Sequence, residues 1–314
     1  MNLLLVIGGL FLLVVGGDIL IRGSVGLAER FGLSRALIGV VLLGFGTSMP
    51  EFIATFGAAA KGADDIAFGN VLGSNIANIL MILGVSALIL PIATQMRDVR
   101  RDAAFVMLSS VGCGLWIWLG GIPTLGSILL LLGFITYMAL TIRADLALPA
   151  DLPTAGAPRP APVALNLLLA IIGIALLIAG AEGLIRGSSA IARGFGVSEA
   201  LIGITIVGIG TSLPEATASI LASIKGENEL AFANIVGSNI FNGLAILGVT
   251  GLAFPLSFDV SSAGFSLIDG LVLLVATILM FVFAVTHRKV VRWEGAIMLA
   301  GYLAYLAWLV SRAI

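Results

Sequence analysis

The chain has 314 residues, of which 60% are hydrophobic and 11% are charged, and its mean hydropathy is +1.17. Soluble domains carry roughly 25% charged residues, so this composition excludes a soluble globular protein and indicates an all-α polytopic membrane protein. The net charge is −1, and the 16 Lys and Arg residues form no long basic run, which argues against nucleic acid as a partner.

Apolar segments follow one another along the chain, and several reach the length of about 20 residues that a helix needs to cross a bilayer. The first has no basic stretch before it and no clear cleavage site, so we predict a retained helix rather than a signal peptide. We expect ten transmembrane helices, at 3–21, 36–60, 67–91, 103–120, 123–143, 164–185, 200–224, 231–255, 266–286 and 293–311.

The stretch between the fifth and sixth segments is rich in proline, which cannot continue a helix. We therefore predict a linker at 144–163, which separates a first five-helix repeat at 1–143 from a second at 164–314. The prolines of this linker are Pro149, Pro153, Pro158, Pro160 and Pro162.

The two halves align without a gap from about residue 12 to residue 91, at an offset of 164 residues. Gly46-Thr47-Ser48-Met49-Pro50-Glu51 is matched by Gly210-Thr211-Ser212-Leu213-Pro214-Glu215, and Gly73-Ser74-Asn75-Ile76 is matched by Gly237-Ser238-Asn239-Ile240. Such extensive identity indicates that one half was duplicated, or that two related halves were fused.

An odd number of helices per half makes the two repeats inverted relative to each other in the membrane. In the ten-helix arrangement, most Lys and Arg residues lie on the face that carries the linker. Because positive residues concentrate on the cytoplasmic side, we predict a cytoplasmic linker, both termini outside, and a location in the inner or plasma membrane. The basic residues on the opposite face are Lys61, Arg186, Arg193 and Arg312.

A proline followed by a glutamate is unexpected inside a membrane-spanning segment. Pro50 lacks an N–H group, so the carbonyl group near Gly46 loses its helical partner, and Glu51 places an acid at membrane depth. Thr47 and Ser48 precede Glu51 by four and three residues, so their hydroxyl groups are expected on the face of its carboxylate.

The next segment adds Ser74 and Asn78, which share one helix face at a spacing of four residues. The second half repeats this set with Glu215, Thr211, Ser212, Ser238 and Asn242. Together the halves offer two carboxylates among neutral oxygens, a ligand set for Na⁺ or Ca²⁺ rather than for zinc or copper. Two glutamates carry a charge of −2, which one Ca²⁺ or two Na⁺ would neutralise. This equivalence is what a cation antiporter requires.

Other interpretations remain open at this point. A single kinked motif could be purely structural, and the glutamates could carry protons, which would make the protein an H⁺/Ca²⁺ antiporter. A channel would not need a closed site with two carboxylates. An intramembrane enzyme finds no support, because the one histidine, His287, lies in a basic loop and no HExxH or GxGD motif occurs.

Charged and amide residues outside the two acidic motifs have simpler interpretations. Asp18 with Arg22, and Glu182 with Arg186, have the spacing of interfacial salt bridges on a helix. Asn75 and Asn239 lie off the Ser74/Asn78 face and its counterpart, so they are expected to make helix–helix hydrogen bonds.

On these motifs the sequence resembles the sodium/calcium exchanger family, within the calcium/cation antiporter superfamily. The resemblance rests on Gly44 to Glu51 with Gly73 to Asn78, on Gly208 to Glu215 with Gly237 to Asn242, and on flanking segments over nearly the whole chain. It implies ten helices in two inverted repeats, four central ion sites, and sliding of the first and sixth helices, at 3–21 and 164–185, to alternate access.

The resemblance also implies roles for individual residues. Glu51 and Glu215 would be shared carboxylate ligands, and Asn78 and Asn242 would complete the central site. Hydroxyl or nearby carbonyl oxygens would come from Thr47, Ser48, Ser74, Thr211, Ser212 and Ser238. The carbonyl groups of Gly44 and Gly208 match backbone ligands.

One position departs from part of the family. Some members, including potassium-dependent ones, carry aspartate at the position of Asn242, so asparagine argues against a K⁺ requirement. The expected function is exchange of Na⁺ for Ca²⁺ as transported substrates, with no cofactor, by a monomer in contact with membrane lipid.

Overall fold

The computed structural model describes residues 2–147, 161–197, 202, 206–259 and 265–313. Most of the predicted linker lies outside these ranges and stays a prediction. Its two edges are helical, because one helix ends at Leu146 and the next begins at Val163.

The first half consists of helices interrupted by two π-helical turns and two short strands. In chain order the elements are α1 (Asn2–Phe31), α2 (Arg35–Ile38), a π-helical turn (Gly39–Gly44), α3 (Phe45–Thr47), α4 (Met49–Ala59), α5 (Asp64–Ile76), a π-helical turn (Ala77–Leu83), α6 (Gly84–Ile89), β1 (Ile92–Ala93), α7 (Met96–Leu119), β2 (Gly121–Ile122) and α8 (Thr124–Leu146).

The second half repeats much of this order. Its described elements are α9 (Val163–Gly194), α10 (Gly208–Thr211), α11 (Leu213–Ile224), α12 (Asn228–Ile240), a π-helical turn (Phe241–Ile246), α13 (Leu247–Ala253), β3 (Leu256–Ser257), α14 (Leu267–Thr286), β4 (Lys289–Val290) and α15 (Arg292–Ala313). Several boundaries, including both ends of α5 and α12, match at the offset found in the sequence.

The described residues contain eight helices that are long and apolar enough to cross a membrane, or nine if α2 to α4 count as one bent span. This confirms a multi-pass, all-helical membrane fold, whereas the count of ten stays a prediction. The segment predicted at 200–224 begins among residues outside the description, and its described helix, α11, is shorter than a full span. The eight helical regions are Asn2–Phe31, Asp64–Ile89, Asp98–Leu119, Thr124–Leu146, Val163–Gly194, Asn228–Ala253, Leu267–Thr286 and Arg292–Arg312.

The helices at the first and sixth predicted segments extend beyond the predicted ends. Helix α1 continues past residue 21 to Phe31, and α9 continues past residue 185 to Gly194. In each case the predicted end lies at an i,i+4 ion pair on the continuing helix, Arg22 with Asp18 and Arg186 with Glu182. The predicted i,i+4 ion pairs are thus confirmed, whereas their position at the membrane interface stays a prediction.

Helices α1 and α9 pack against each other over most of their length in antiparallel directions. Glycines bring the two backbones into direct contact. A Cβ atom added at Gly9 would lie 2.7 Å from the carbonyl oxygen of Gly180, and one added at Gly180 would lie 2.8 Å from that of Gly9. Small residues at such a crossing allow close van der Waals packing, which is the main source of helix association in lipid.

The centre of the bundle is formed by α5 and α12 with their continuations. In an apolar 18-residue window of the span Asn228–Ala253, 94% is buried inside the protein. The corresponding share is 72% for Asp64–Ile89 and 22% for Arg292–Arg312. Two short antiparallel strand pairs, β1 with β4 and β2 with β3, join loops of the two halves. The polar residues singled out in the sequence therefore lie on the most enclosed helices.

Candidate functional site

Each GTSxPE motif forms a break between two helices. Ser48 leaves the helical conformation, with φ −79° and ψ 5°, and Ser212 does the same, with φ −87° and ψ 8°. The proline then occupies the first turn of the following helix, where its missing N–H costs nothing. In the first half the chain bends by 45° at this point. The kink predicted at Pro50 is confirmed.

The breaks bring the two glutamates into one buried cluster. The Ser48 hydroxyl donates to Glu215 Oε1 at 3.0 Å, and the Ser212 hydroxyl donates to Glu51 Oε1 at 3.3 Å. All four side chains are fully buried. Each serine was expected to face the glutamate of its own motif, but it bonds to the glutamate of the other repeat. The reason is that the helix ends at the serine, so helical spacing no longer governs where its hydroxyl points.

Several polar atoms of this cluster have no hydrogen-bond partner within the protein. They include the second carboxylate oxygens, Glu51 Oε2 and Glu215 Oε2, and both amide atoms of Asn78 and Asn242. Buried polar groups are nearly always paired, so such atoms in one cluster indicate an interaction with a ligand or with water. Asn78 and Asn242 each lie in a π-helical turn, a distortion that frequently occurs at functional sites.

Four further candidates also lie inside the protein, and they are Gly44, Thr47, Ser74 and Ser238. The Ser238 hydroxyl donates across the repeats to the Gly44 carbonyl oxygen at 3.5 Å. Thr47 donates to the Leu43 carbonyl oxygen at 2.9 Å, and Ser74 lies beside the Glu51 carboxylate. These residues surround the carboxylates with neutral oxygens.

The second motif is more open than the first. Gly208 is exposed and Thr211 is partly exposed, whereas the matched residues Gly44 and Thr47 are buried. Thr211 donates to the Gly208 carbonyl oxygen at 3.3 Å, within its own helical turn. The structure therefore brings ten of the candidates into the interior and leaves these two on its more accessible side.

Two asparagines at the site were not identified from the sequence. Asn70 and Asn234 lie one turn before Ser74 and Ser238, and each donates from Nδ2 to the backbone carbonyl oxygen of a glutamate, Asn70 to Glu51 at 3.3 Å and Asn234 to Glu215 at 3.4 Å. The signal was present, because the two residues match at the repeat offset and extend the i,i+4 spacing of the serine and asparagine candidates by one turn.

The predicted helix–helix role of one other amide is confirmed, because Asn75 Nδ2 donates to the Asn239 carbonyl oxygen at 3.3 Å. Asn239 itself donates within its helix, to the Ile235 carbonyl oxygen at 2.8 Å. Neither of these two hydrogen bonds involves a glutamate.

The chemistry of the cluster favours hard cations. Its donors are carboxylate, hydroxyl, amide and backbone oxygens, which suit Na⁺ or Ca²⁺. Across the described parts of the chain, no group of three or more His, Cys, Asp or Glu residues could hold a metal ion. A site of this kind thus depends on neutral oxygens to complete the coordination that two acids begin.

The ion pairs made by α1 and α9 differ from each other. Asp18 of α1 pairs with Lys225, which follows α11, as well as with Arg22. The residues matched to Asp18 and Lys225 are Glu182 and Lys61, and among the described residues Glu182 pairs with Arg186 and not with Lys61. The structure therefore has an ion pair between α1 and the end of the acidic helix of the second half. Among the described residues, the matched pair between α9 and the acidic helix of the first half is not formed.

Comparison with known proteins gives consistent similarities. The family model described as "Sodium/calcium exchanger protein" matches residues 1–143 and 165–311. The putative antiporter CaxA of Alkalimonas amylolytica is 35% identical over 308 residues, which cover 96% of each chain. The sodium/calcium exchanger MaX1 of Methanosarcina acetivorans is 28% identical, with 97% of each chain covered.

A solved structure shares the fold. The sodium-calcium exchanger NCX_Mj, soaked with Na⁺ and without Ca²⁺, superposes with a TM-score of 0.83 at 31% sequence identity. The superposition covers 98% of this chain and 99% of that one.

Proposed function

The chain belongs to the sodium/calcium exchanger family, and from this premise we propose that it is a secondary antiporter that exchanges Na⁺ for Ca²⁺ by alternating access. The two ions are its transported substrates, and the expected functional unit is a monomer without a resident cofactor.

One observation supports this proposal most directly. The two buried glutamates each accept a serine hydroxyl from the opposite repeat, and each keeps a second oxygen that has no hydrogen-bond partner within the protein. Two ionised carboxylates carry a charge of −2, which either one Ca²⁺ or two Na⁺ would neutralise. The same cluster can therefore hold the ions in alternation.

Burial of the two acids also accounts for the coupling of Na⁺ movement to Ca²⁺ movement. Leaving two charges uncompensated in a low-dielectric interior costs several kcal/mol or more. The carrier with an empty site would therefore reorient only at a high energetic cost. Return of the carrier would then require a bound ion, which makes the transport an exchange.

The proposed ligand set keeps all the residues predicted from the sequence. Its carboxylates are those of Glu51 and Glu215, and the burial of the Asn78 and Asn242 amides and their lack of hydrogen-bond partners support including them. The hydroxyl and backbone oxygens belong to Thr47, Ser48, Ser74, Thr211, Ser212, Ser238, Gly44 and Gly208.

We also propose ten spans in two inverted repeats, with both termini outside. The antiparallel crossing of α1 and α9, which the offset matches to each other, supports the inversion. The tenth span would be the predicted segment 200–224. The distribution of basic residues supports the orientation.

Alternating access is supported by the unequal packing of the two halves. Helix α1 packs on α11, where a Cβ added at Gly17 would lie 2.7 Å from Leu221 Cδ1. In the described structure α9 makes no comparable contact with α4, and Ile53 on that helix is 61% exposed. Exchange of these two arrangements between the halves would open and close the site on opposite sides.

The test is Ca²⁺ uptake by purified protein in lipid vesicles, with outward Na⁺, K⁺ and H⁺ gradients applied separately. Uptake driven by Na⁺ alone is expected. Uptake driven only by the H⁺ gradient would instead identify an H⁺/Ca²⁺ antiporter, and uptake without any counter-gradient dependence would contradict exchange.

A further inference from the structure

The side chains of Asn70 and Asn234 form matching bridges between helices. Asn70 Nδ2 donates to Thr55 Oγ1 at 2.9 Å and to the Glu51 carbonyl oxygen at 3.3 Å. Asn234 Nδ2 donates to Ser219 Oγ at 2.8 Å and to the Glu215 carbonyl oxygen at 3.4 Å. Both acceptors and both donors correspond at the repeat offset, so the arrangement occurs once in each half.

These bridges connect the acidic helix of each half to its neighbouring helix. Asn70, Ser74 and Asn78 recur at intervals of four residues, and Thr55 lies one turn after Glu51. The Asn70 amide therefore sits one turn from the candidate ligands on α5 and bonds to the backbone of the glutamate itself. It fixes where the Glu51 Cα lies relative to Ser74 and Asn78.

The bond to the glutamate backbone distinguishes these residues from ordinary helix–helix contacts. Asn75, on the same helix, also donates to a backbone carbonyl oxygen of another helix, that of Asn239 at 3.3 Å. That bond joins α5 to α12 and touches no carboxylate-bearing residue. Asn75 thus provides a matched amide on the same helix, whose hydrogen bond joins two helices without involving a glutamate.

Asn234 has a third contact that links the repeats. Its Oδ1 accepts from the Thr47 hydroxyl at 3.4 Å. Thr211, the residue matched to Thr47, instead donates to Gly208 on the more exposed side. Asn234 is fully buried, whereas Asn70 is only partly buried. The contact with Thr47 across the repeats is therefore made by the more buried of the two asparagines.

We propose that Asn70 and Asn234 are positioning residues for cation binding, and this inference rests on the proposed function. Each holds one glutamate in register with the serine and asparagine ligands of the adjacent helix. The Nδ2 group of each asparagine is bonded to protein acceptors, one of which is the backbone of the glutamate, so each residue acts on the ion through Glu51 or Glu215. Ca²⁺ is coordinated at about 2.3–2.6 Å, so a small displacement of a carboxylate weakens the site.

The variants for the test are Asn70→Leu and Asn234→Leu, which keep a similar volume and remove the amide, with Asn75→Leu as the matched control. Loss of a group that orients a metal ligand typically lowers affinity 10–100-fold. We expect the half-saturating Ca²⁺ concentration to rise about tenfold in Asn70→Leu and further in Asn234→Leu, which loses three bonds. Asn75→Leu should lower only the yield of folded protein.

The readout is stabilisation of the purified full-length protein against heat by Ca²⁺ or Na⁺ added alone, in addition to flux in vesicles. Equal reductions in yield with wild-type half-saturation in all three variants would overturn the proposal. If a leucine variant does not fold, Thr55→Val and Ser219→Ala each remove one acceptor of the amide. They are expected to give smaller shifts in the same direction, and unchanged half-saturation would again overturn it.

The failure of this inference is distinguishable from failure of the proposed function. If the wild-type protein is stabilised by Na⁺ and Ca²⁺ but does not exchange them, the function is wrong and the positioning test still applies to binding. If exchange is normal and the asparagine variants bind ions like the wild type, only the positioning role is wrong.

Discussion

The Ser48 hydroxyl donates a 3.0 Å hydrogen bond to the carboxylate of Glu215, which lies 167 residues later in the chain. The matched bond, from Ser212 to Glu51 at 3.3 Å, runs in the opposite direction between the repeats. Each acid is therefore held by the helix break of the other half. Neither half can form the candidate site alone.

Replacement of either acid should abolish exchange. Glu51→Gln or Glu215→Gln removes one of the two charges that balance Ca²⁺, so Na⁺-dependent Ca²⁺ uptake should fall to background while the protein still inserts into the membrane. Glu29→Gln is the control, because that side chain is 52% exposed and pairs at the surface with Arg35. Normal uptake in either buried-site variant would contradict the proposed function.

The crossed hydrogen bonds predict energetic coupling between repeats. A hydrogen bond to a charged group contributes about 1.5–3 kcal/mol, and contacting residues show interaction energies of roughly 0.5–3 kcal/mol in double-mutant cycles. Thermal unfolding should therefore show coupling between Ser48→Ala and Glu215→Gln, and weaker coupling between Ser48→Ala and Glu51→Gln. The reverse order would indicate that each serine serves the acid of its own motif.

Alternating access predicts that the ion pair between Asp18 and Lys225 is replaced by the matched pair in the opposite orientation. Lys225 contacts Asp18 in this structure, and in the opposite orientation Lys61 should approach Glu182. With the sole cysteine, Cys113, replaced by Ala, cysteines at 18 and 225 should be joined by a short bifunctional thiol reagent, and this should stop exchange.

Cysteines at 61 and 182 should react with the same reagent only while Na⁺ and Ca²⁺ are being exchanged. Persistent lack of reaction at 61 and 182 during active exchange would count against this movement. A pair at 61 and 22 provides a control for non-specific linkage, since the ion pair that Arg22 makes among the described residues lies within its own helix, with Asp18.

The contact between α1 and α9 predicts different tolerance at two adjacent glycines. At Gly9 a Cβ would lie 2.7 Å from the Gly180 carbonyl oxygen, whereas at Gly8 nothing lies within 4 Å. Overpacking typically costs about 1–3 kcal/mol, so Gly9→Leu should lower the melting temperature and the exchange rate. Gly8→Leu should behave like the wild type, and equal effects of the two would refute the close packing.

The proposed orientation predicts which sites are accessible from outside. In the background without Cys113, single cysteines at Asn2 and Ser311 should react with a membrane-impermeant thiol reagent in intact cells. A cysteine at Arg143, beside the predicted cytoplasmic linker, should react only after the membrane is opened. The opposite pattern would reverse the orientation, and labelling of only one terminus would contradict an even number of spans.

Much of the architecture follows from the sequence because its causes are local. A proline inside a helical segment interrupts the helix at that point, and repeated identity at a fixed offset requires two halves with similar elements. The kinks at Pro50 and Pro214, the burial of both glutamates and the apolar helices are therefore predictable. Helix ends were less predictable, because α1 continues through the Asp18–Arg22 pair, past its predicted end at residue 21.

Only the tertiary structure decided which groups meet across the halves. Helical periodicity identifies residues on one face of one helix, such as Ser74 and Asn78, but it carries no information about the helix opposite. The crossed serine–glutamate bonds, the bridges of Asn70 and Asn234 and the unequal packing of α1 and α9 depend on contacts between distant segments. Those contacts are set by the packing of the whole bundle, in which two similar halves can adopt different arrangements.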